Sequence, residues 1–319
     1  MNNKKKLIIG TRSSDLALWQ ADFVKKELEK KNPDVKIKLK LIKTKGDKIL
    51  NVALSKIGDK GLFTKELERA LLNKTIDIAV HSLKDLQTEI PKELKIAAVT
   101  KRHNVEDVLI TRKKNITIHS LKDRATVATG SLRRRAQLKH IRPDINVVEL
   151  RGNVPTRINK FLDSNWDAII LARAGVERLK LSKYISSVIG IDEFLPAVGQ
   201  GALGIEIRSD NKFADEILKS INDKNTLAAV RAERALLKSL EGGCQVPIGA
   251  FAEVKSNGLY LDALVASIDG SITFRKKMRG VKANPEMLGK QLAKDLLKAG
   301  ADKVLDEIYK SQRKSAPNK

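Results

Sequence analysis

The sequence has one cysteine and few aromatic residues, and each shortage excludes a class of protein. One cysteine cannot form an internal disulfide, which fits a reducing compartment. Because only 4% of the residues are aromatic, a single-strand nucleic-acid binder that stacks bases on exposed rings is disfavoured. The four histidines show no metal-ligand spacing and one cysteine cannot build a zinc cluster, so we expect no metal.

Long apolar runs are missing as well. A transmembrane helix needs about 18 consecutive apolar residues, and no stretch of the sequence approaches that length. The basic residues 1–6 imitate the start of a signal peptide, but the apolar run 7–9 that follows is too short for one. No GxGxxG or P-loop pattern occurs either. We therefore expect no nucleotide and no membrane partner, and a cytoplasmic location.

The net charge of +24 comes mostly from lysine. Scattered lysines most often form a solvated surface, although an acidic small-molecule substrate, a nucleic acid or a membrane surface would also explain them. Arginine is distributed differently, since it is concentrated between Arg133 and Arg173. With 319 residues, and roughly 100–200 residues per domain, the chain should form two or three domains.

The first hundred residues alternate between strand and helix patterns. Apolar strands are predicted at 7–10, 35–41 and 76–80, and helices from about residue 16 and over 61–72. This order indicates an α/β domain, in which ligands bind past the carboxyl ends of the strands. A second unit repeats this alternation of strands and helices, with strands at 125–128, 145–150 and 166–171. We expect the chain to cross between the two units near 101–106 and 196–207. The last third has a helix over about 226–240, two strands, and a helix reaching residue 300.

The strongest chemical signal is residues 129–135, TGSLRRR. Ser131 is a plausible helix N-cap, and helix N-termini attract anions. Arginines in the first turn are unfavourable, because they lie beside the positive end of the helix dipole. Three arginines at this position therefore favour a site that binds an anion over a basic surface that is only solvated. Arg151 and Arg157 flank the next strand-to-helix turn. Guanidinium groups bind carboxylates in a two-point fork, but the pattern does not distinguish carboxylate from phosphate.

Asp85 and Cys244 are the candidate reactive residues. Asp85 follows a predicted strand and could stabilise a developing cation or pass a proton, although a lysine–aspartate pair there is more often an ordinary cap or surface pair. A lone cysteine is usually a small buried hydrophobic residue. Two glycines precede Cys244 and leave it uncovered, so a nucleophilic thiolate near arginines is the alternative.

Seven segments together resemble the porphobilinogen deaminase family, and they occur in the family's order with plausible spacing. They are 10–20 (GTRSSDLALWQ, without its Asp15), 60–68 (KGLFTKELE), 77–85 (DIAVHSLKD), 130–134 (GSLRR), 150–154 (LRGNV), 195–201 (LPAVGQG) and 241–249 (EGGCQVPIG). The resemblance implies an α/β fold of two type II periplasmic-binding-protein-like domains joined by a hinge, plus a smaller α/β C-terminal domain. It places domain 1 at 1–101 and 202–221, domain 2 at 102–201 and domain 3 at 222–319.

The resemblance also implies the chemistry. Four molecules of porphobilinogen lose ammonia and are linked into the linear tetrapyrrole hydroxymethylbilane, on a dipyrromethane cofactor held by a thioether to Cys244. Asp85 matches the catalytic aspartate. The cofactor-binding positions are matched by Lys84, Ser131, Arg133 and Arg134, and the substrate-binding positions by Arg12, Ser14, Phe63, Arg151 and Arg157. The family suggests a monomer with porphobilinogen as its small-molecule partner and no nucleic acid.

Two departures and two rival readings stay open. The family commonly has proline where this chain has Asp15 and Gln87, which puts the rigidity of both loops in question. A non-enzymatic carrier of acidic ligands would keep ligand binding in Cys244→Ala. A nucleic-acid-binding protein would show affinity that falls steeply with salt. Neither rival explains an aspartate past a strand together with an uncovered cysteine.

Overall fold

A computed structural model describes residues 5–44, 46, 61, 64–241 and 246–314. The strands in chain order are β1 (Lys5–Thr11), β2 (Val35–Leu41), β3 (Ile78–Ser82), β4 (Leu94–Val99), β5 (Asp107–Ile110), β6 (Thr126–Ala128), β7 (Asn146–Val148), β8 (Ala168–Ala172), β9 (Ile185–Ile189), β10 (Leu203–Arg208), β11 (Ile248–Lys255), β12 (Gly258–Ala266) and β13 (Thr273–Gly280). The helices are α1 (Asp15–Lys31), α2 (Lys65–Leu72), α3 (Leu132–Ile141), α4 (Val154–Leu162), α5 (Arg173–Arg178), α6 (Lys212–Leu218), α7 (Lys224–Ser239), α8 (Pro285–Leu296) and α9 (Asp302–Lys314).

The chain divides into two compact units. The first comprises the described residues of Met1–Leu50, Asp59–His103 and Gly201–Leu227, and the second comprises those of Asn51–Gly58, Asn104–Gln200 and Ala228–Lys319. The first unit contains one five-stranded sheet, ordered β2-β1-β3-β10-β4, in which β10 runs antiparallel to both of its neighbours. The predicted return of the chain to the first sheet, at β10, is confirmed.

The second unit repeats this strand order in a sheet of its own. Its order is β7-β6-β8-β5-β9, with β6 parallel to β7 and β8, and β5 antiparallel to β8 and β9. In each sheet the antiparallel strand is supplied by a crossover, β5 by the first and β10 by the second. Two such sheets are the topology of type II periplasmic-binding-protein domains, so the predicted fold class is confirmed.

A third sheet, β11-β12-β13, lies at the C-terminal side of the second unit and is antiparallel throughout. Its core is built from apolar side chains of β11 and β12 packed with α7, α8 and α9, among them Leu236, Leu261, Leu292 and Ile308. The sheet with its helices is the smaller α/β element predicted for the C-terminus. The predicted limits of the three domains stay a prediction.

Local patterns explain most element positions. In α1 the predicted apolar stripe, Ala17, Ala21, Val24 and Leu28, is buried. The strand over 35–41 and the helix over 132–141 lie at the predicted residues. The predicted helix that reaches Gly300 is confirmed as α8 with the helical turn Leu297–Ala301 that follows it, and Gly300, with φ of +108°, is the break; α9 beyond it was not predicted.

Candidate functional site

The carboxyl end of β1 places Arg12 and Ser14 at the edge of the first sheet. Ser14 is the N-cap of α1, and its Oγ accepts a hydrogen bond from the Ala17 backbone N–H at 3.4 Å. Asp15 is the first residue of this helix, where a negative charge is favourable beside the positive end of the helix dipole. Proline is also favoured at this position, so replacing the family's proline by Asp15 keeps a residue suited to a helix start.

Lys84 and Asp85 follow the neighbouring strand, β3, which runs parallel to β1. They lie in a 3₁₀ turn, Leu83–Asp85, whose first N–H donates to the carbonyl of Ala202 at 3.1 Å. Just before the turn, Ser82 Oγ accepts a hydrogen bond from Gln20 Nε2 at 2.7 Å. Asp85 is exposed and Lys84 half-buried. Since parallel strands end at one edge, Arg12, Ser14, Lys84 and Asp85 share that edge.

Gln87, the second departure from the family, follows this turn. A Cβ added to Gly61 would lie 2.1 Å from the Gln87 side-chain nitrogen, so the Gln87 amide packs closely against Gly61. Gly61 has φ of +87°, which favours glycine. The Gln87 side chain therefore occupies the space that a side chain at residue 61 would need.

In the second unit, the turns after β6 and β7 touch. The Thr129 N–H donates to the carbonyl of Val148 at 2.9 Å. A Cβ added to Gly130 would lie 2.5 Å from the carbonyl oxygen of Leu150, so only glycine allows this approach. Ser131, the next residue, caps α3 as predicted: its Oγ accepts a hydrogen bond from the Arg134 N–H at 3.4 Å.

Arg133 and Arg134 are buried, with exposures of 4% and 5%. Each binds one oxygen of the fully buried Asp107: Arg133 Nη2 lies 2.7 Å from Oδ2, and Arg134 Nη2 lies 2.7 Å from Oδ1. Their Nη1 groups donate to the carbonyls of Leu195 and Ile170. Gln200 Nε2 also donates to Asp107 Oδ1, at 2.9 Å. Two of the three arginines of the first turn thus have an anionic partner inside the protein, while Arg135 is exposed.

Asp107 was missed by the sequence analysis. Burial alone would raise its pKa, but the charges of Arg133 and Arg134, with hydrogen bonds from Arg134 and Gln200, outweigh burial and hold the pKa well below its usual range. The available signal was an aspartate that begins the apolar run Asp107–Ile110. A charged side chain on a buried strand requires a partner of opposite charge.

The cluster of Arg133, Arg134 and Asp107 carries more positive than negative charge. Two guanidinium groups share one carboxylate, so the buried group carries an excess positive charge. The Nε atoms of Arg133 and Arg134 are buried and make no hydrogen bond within the described part of the chain. Buried donors without acceptors are costly unless a ligand satisfies them. A ligand rich in carboxylates, such as a dipyrromethane with acetate and propionate side chains, fits this donor set.

Arg151 and Arg157 lie after β7, beside the turn that contains Gly130. Arg157 Nε donates to the carbonyl of Gly152 at 2.7 Å. Arg151 Nη1 is buried and makes no hydrogen bond to any residue that the structure describes. Burial lowers the pKa of Arg151, and the carboxylate of Glu149 opposes that shift. Because β6 and β7 are parallel neighbours, these arginines share the sheet edge with Ser131.

Two predicted site residues, Phe63 and Cys244, lie outside the described residues. Among the residues described, no cluster of three or more histidine, cysteine or acidic side chains could hold a metal ion. Within the same residues, no helix combines the length and the apolar character that crossing a bilayer requires.

Comparison with known proteins gives two family matches. Residues 7–216 match the profile described as porphobilinogen deaminase, dipyromethane cofactor binding domain, and residues 227–298 match the porphobilinogen deaminase C-terminal domain. The porphobilinogen deaminase of Carboxydothermus hydrogenoformans is 52% identical over 96% of this chain and 98% of its own length. That of Chlorobium luteolum is 51% identical over 97% of this chain and 99% of its own length.

Solved structures give more distant likenesses. The VFT2 domain of Bordetella pertussis BvgS aligns with 68% of this chain and 86% of its own, at 13% identity and a TM-score of 0.42. The methionine binding protein MetQ aligns with 68% of this chain and 88% of its own, at 15% identity and the same TM-score of 0.42. Likenesses this distant say nothing about activity.

Proposed function

The chain belongs to the porphobilinogen deaminase family, and from this premise we propose which of its residues carry out the reaction. As a member it is a transferase of tetrapyrrole biosynthesis. It condenses four porphobilinogen molecules, with loss of ammonia, into hydroxymethylbilane on a dipyrromethane primer. The primer, when bound, supplies the pyrrole carbon to which the first substrate unit is added.

The buried pair Arg133–Arg134 is the observation that carries the assignment of residues. Their Nε atoms and excess charge call for a carboxylate-bearing ligand. We assign the primer's carboxylates to these two arginines, with Ser131 and Lys84 as further donors and Cys244 as the covalent anchor. Asp107 holds both guanidinium groups in place, so they do not reorganise when the ligand binds.

Arg151 is the best supported of the substrate-binding residues, because a buried Nη1 remains to be satisfied. A guanidinium can bind the acetate or propionate of porphobilinogen in a two-point fork. We assign Arg157, Arg12 and Ser14 to the same task by family position, and Phe63 to packing over the bound substrate.

Asp85 is the proposed catalytic residue. Its carboxylate stands exposed at the carboxyl edge of the first sheet, next to Lys84. From there it can accept hydrogen bonds from the aminomethyl group of porphobilinogen and offset positive charge as ammonia leaves. Ligands of α/β sheets bind at this edge, which supports the assignment.

We further infer a monomer that works in the cytoplasm, with no nucleic-acid or membrane partner. The single cysteine fits a reducing compartment, and the sequence has no apolar run long enough to span a membrane. The low aromatic content disfavours a single-strand nucleic-acid binder, and the monomer is taken from the family. The three-domain division at 1–101 with 202–221, 102–201 and 222–319, hinged between the first two, is retained as part of the proposal.

Asp85→Asn tests the catalytic assignment, because it removes the charge and keeps the shape. We expect turnover to fall about 100-fold or more, the usual contribution of a positioned acid or base, while intact mass shows the primer still attached. Asp22→Asn, on the exposed face of α1 beside Lys26, is the matched control and should keep wild-type turnover. Near-wild-type rates in Asp85→Asn would refute the role.

A further inference from the structure

Gln137, on α3, pairs its side-chain amide with the backbone of Leu195. Its Oε1 accepts a hydrogen bond from the Leu195 N–H at 2.7 Å, and its Nε2 donates to the Leu195 carbonyl at 3.0 Å. Both residues are buried, with exposures of 3% for Gln137 and 1% for Leu195. A single side chain thus satisfies both backbone polar groups of a residue that is 58 positions away in the sequence.

The same carbonyl also binds Arg133, which lies one turn before Gln137 on α3. Arg133 Nη1 donates to the Leu195 oxygen. A carbonyl oxygen has two lone pairs, so it can accept from both side chains at once. Gln137 Nε2 lies 3.4 Å from the backbone oxygen of Arg133, and the Arg133 guanidinium carbon lies 5.8 Å from the centre of the Phe194 ring. The backbone at Leu195 therefore helps to set where the Arg133 guanidinium group lies.

The third sheet fixes Leu195 from its other side. A Cβ added to Gly249, on β11, would lie 2.9 Å from the Leu195 Cβ and 3.1 Å from the Leu195 carbonyl oxygen, so β11 packs directly against this residue. The Ala250 N–H donates to the carbonyl of Pro196 at 3.0 Å. Leu195 thus lies between β11 and α3, and Gln137 supplies the polar link on the α3 side.

Two contacts hold the Arg133 guanidinium group, one at each Nη atom. Asp107 binds Nη2 at 2.7 Å, and the Leu195 carbonyl binds Nη1. With both atoms held, the plane of the group is fixed, and so is the direction of the buried Nε–H, which has no acceptor within the described part of the chain. If the carbonyl moved, the group could rotate about its contact with Asp107, and the Nε–H would turn with it.

We propose that Gln137 is a positioning residue for the condensation reaction, because it fixes the Leu195 carbonyl and, through it, the guanidinium group of Arg133. The inference rests on the proposed function, in which Arg133 binds the carboxylates of the primer. The primer supplies the attacking pyrrole carbon, so its placement against the incoming porphobilinogen governs the chemical step. Gln137 suits this task because a neutral amide both donates and accepts, without adding a second carboxylate to the cluster.

Gln137→Met removes both hydrogen bonds to Leu195 and keeps the approximate length of the side chain. The holoenzyme is assayed by steady-state kinetics, and intact mass gives the fraction that carries the primer. We expect kcat per primer-carrying molecule to fall about tenfold, the factor that one charge-assisted hydrogen bond supplies. The KM for porphobilinogen should stay at the wild-type value, because the proposed substrate-binding arginines are unchanged.

Ser186→Ala is the matched control for loss of stability. Ser186, on β9 of the same unit, is buried, and its Oγ bonds the backbone at two points: it accepts from the Ile116 N–H at 2.9 Å and donates to the Lys113 carbonyl at 3.0 Å. Both variants should unfold at a lower urea concentration than wild type, but Ser186→Ala should keep the wild-type kcat. An equal fall of kcat in the two variants would mean general destabilisation and would overturn the inference.

A double-mutant cycle tests whether Gln137 acts through Arg133. Arg133→Lys alone should lower kcat, because lysine cannot be held at two points. Adding Gln137→Met to Arg133→Lys should then lower kcat little further, since residues that act as one unit are not additive. Two effects that multiply in full would show that Gln137 acts independently of Arg133, which contradicts the inference.

The remaining outcomes separate the inference from the proposed function. Wild-type kcat in Gln137→Met overturns the inference and leaves the proposed function intact, whereas wild-type kcat in Arg133→Lys overturns the assignment of Arg133 to the primer. If Gln137→Met does not fold, Gln137→Glu serves in its place. Its carboxylate still accepts from the Leu195 N–H but cannot donate to the Leu195 carbonyl, so kcat should fall, and a wild-type kcat contradicts the inference.

Discussion

Asp107→Asn is the sharpest test of the arginine cluster. The carboxylate is fully buried, and each oxygen binds one guanidinium group at 2.7 Å. Asparagine keeps the shape but offers only one acceptor oxygen, and its NH₂ group would face an arginine. Removing one partner of a buried ion pair typically costs about 3–5 kcal/mol, because the remaining charge stays buried. We expect a loss of that size in the free energy of unfolding at pH 7.

The assay is urea unfolding followed by tryptophan fluorescence. The chain has two tryptophans, and in a Trp19→Phe background Trp166, packed against the core of the second unit's sheet, reports that unit. Asp144→Asn, which removes an exposed partner of Arg142, is the control and should change stability far less.

The pH dependence follows from the sign of the shift. Because folding lowers the pKa of Asp107, its ionised form stabilises the folded state above the unfolded pKa of about 4. That stabilisation is lost as the pH falls toward the folded pKa. The difference in the free energy of unfolding between wild type and Asp107→Asn should therefore be constant from about pH 5 to 8 and become smaller below about pH 4. A difference in the free energy of unfolding below about 1 kcal/mol at pH 7 is less than breaking a buried pair costs. That result would refute the claim that Asp107 stabilises the folded protein by pairing with Arg133 and Arg134.

Two further predictions concern the same sheet edge. Ser131→Ala removes the N-cap of α3 and should lower the free energy of unfolding in the same urea assay by about 1 kcal/mol; no change would mean that the cap contributes nothing. Arg151→Lys cannot form the two-point fork, so steady-state kinetics should show KM for porphobilinogen raised about tenfold. Arg135→Lys, exposed on α3, should keep the wild-type KM, and equal effects in both variants would contradict the assignment.

Local sequence patterns were sufficient to predict several secondary-structure elements and helix caps. The apolar period of α1 and the cap at Ser131 depend on neighbours along the chain, and both are confirmed. Strand β2 lies at the predicted residues, but only Val35 and Ile37 of its apolar face are buried, whereas Leu39 and Leu41 are exposed. The break at Gly300 was available in the sequence too, as a glycine inside a helical pattern. Gly300 was correctly taken as a helix end, but the helix that follows it, α9, was not predicted.

Long-range pairing could not be predicted in the same way. The arginines of α3 were expected to bind an anion, but Asp107 is 26 residues from Arg133 in the sequence. The two meet because β5 is inserted between β8 and β9, an order that follows from the crossover and not from any local pattern. For the same reason, the hydrogen bond that the Tyr309 hydroxyl of α9 donates to the carbonyl of Glu241, at the end of α7, spans 68 residues and was not predicted.

The central claim is that Cys244 carries an oligopyrrole primer, and intact mass spectrometry of denatured, freshly purified protein tests it most directly. The account predicts the polypeptide mass plus one dipyrromethane in wild type, and the bare polypeptide without bilane synthesis in Cys244→Ser. Active wild-type protein with the mass of the bare chain, or a Cys244→Ser variant that makes hydroxymethylbilane at the full rate, would contradict it.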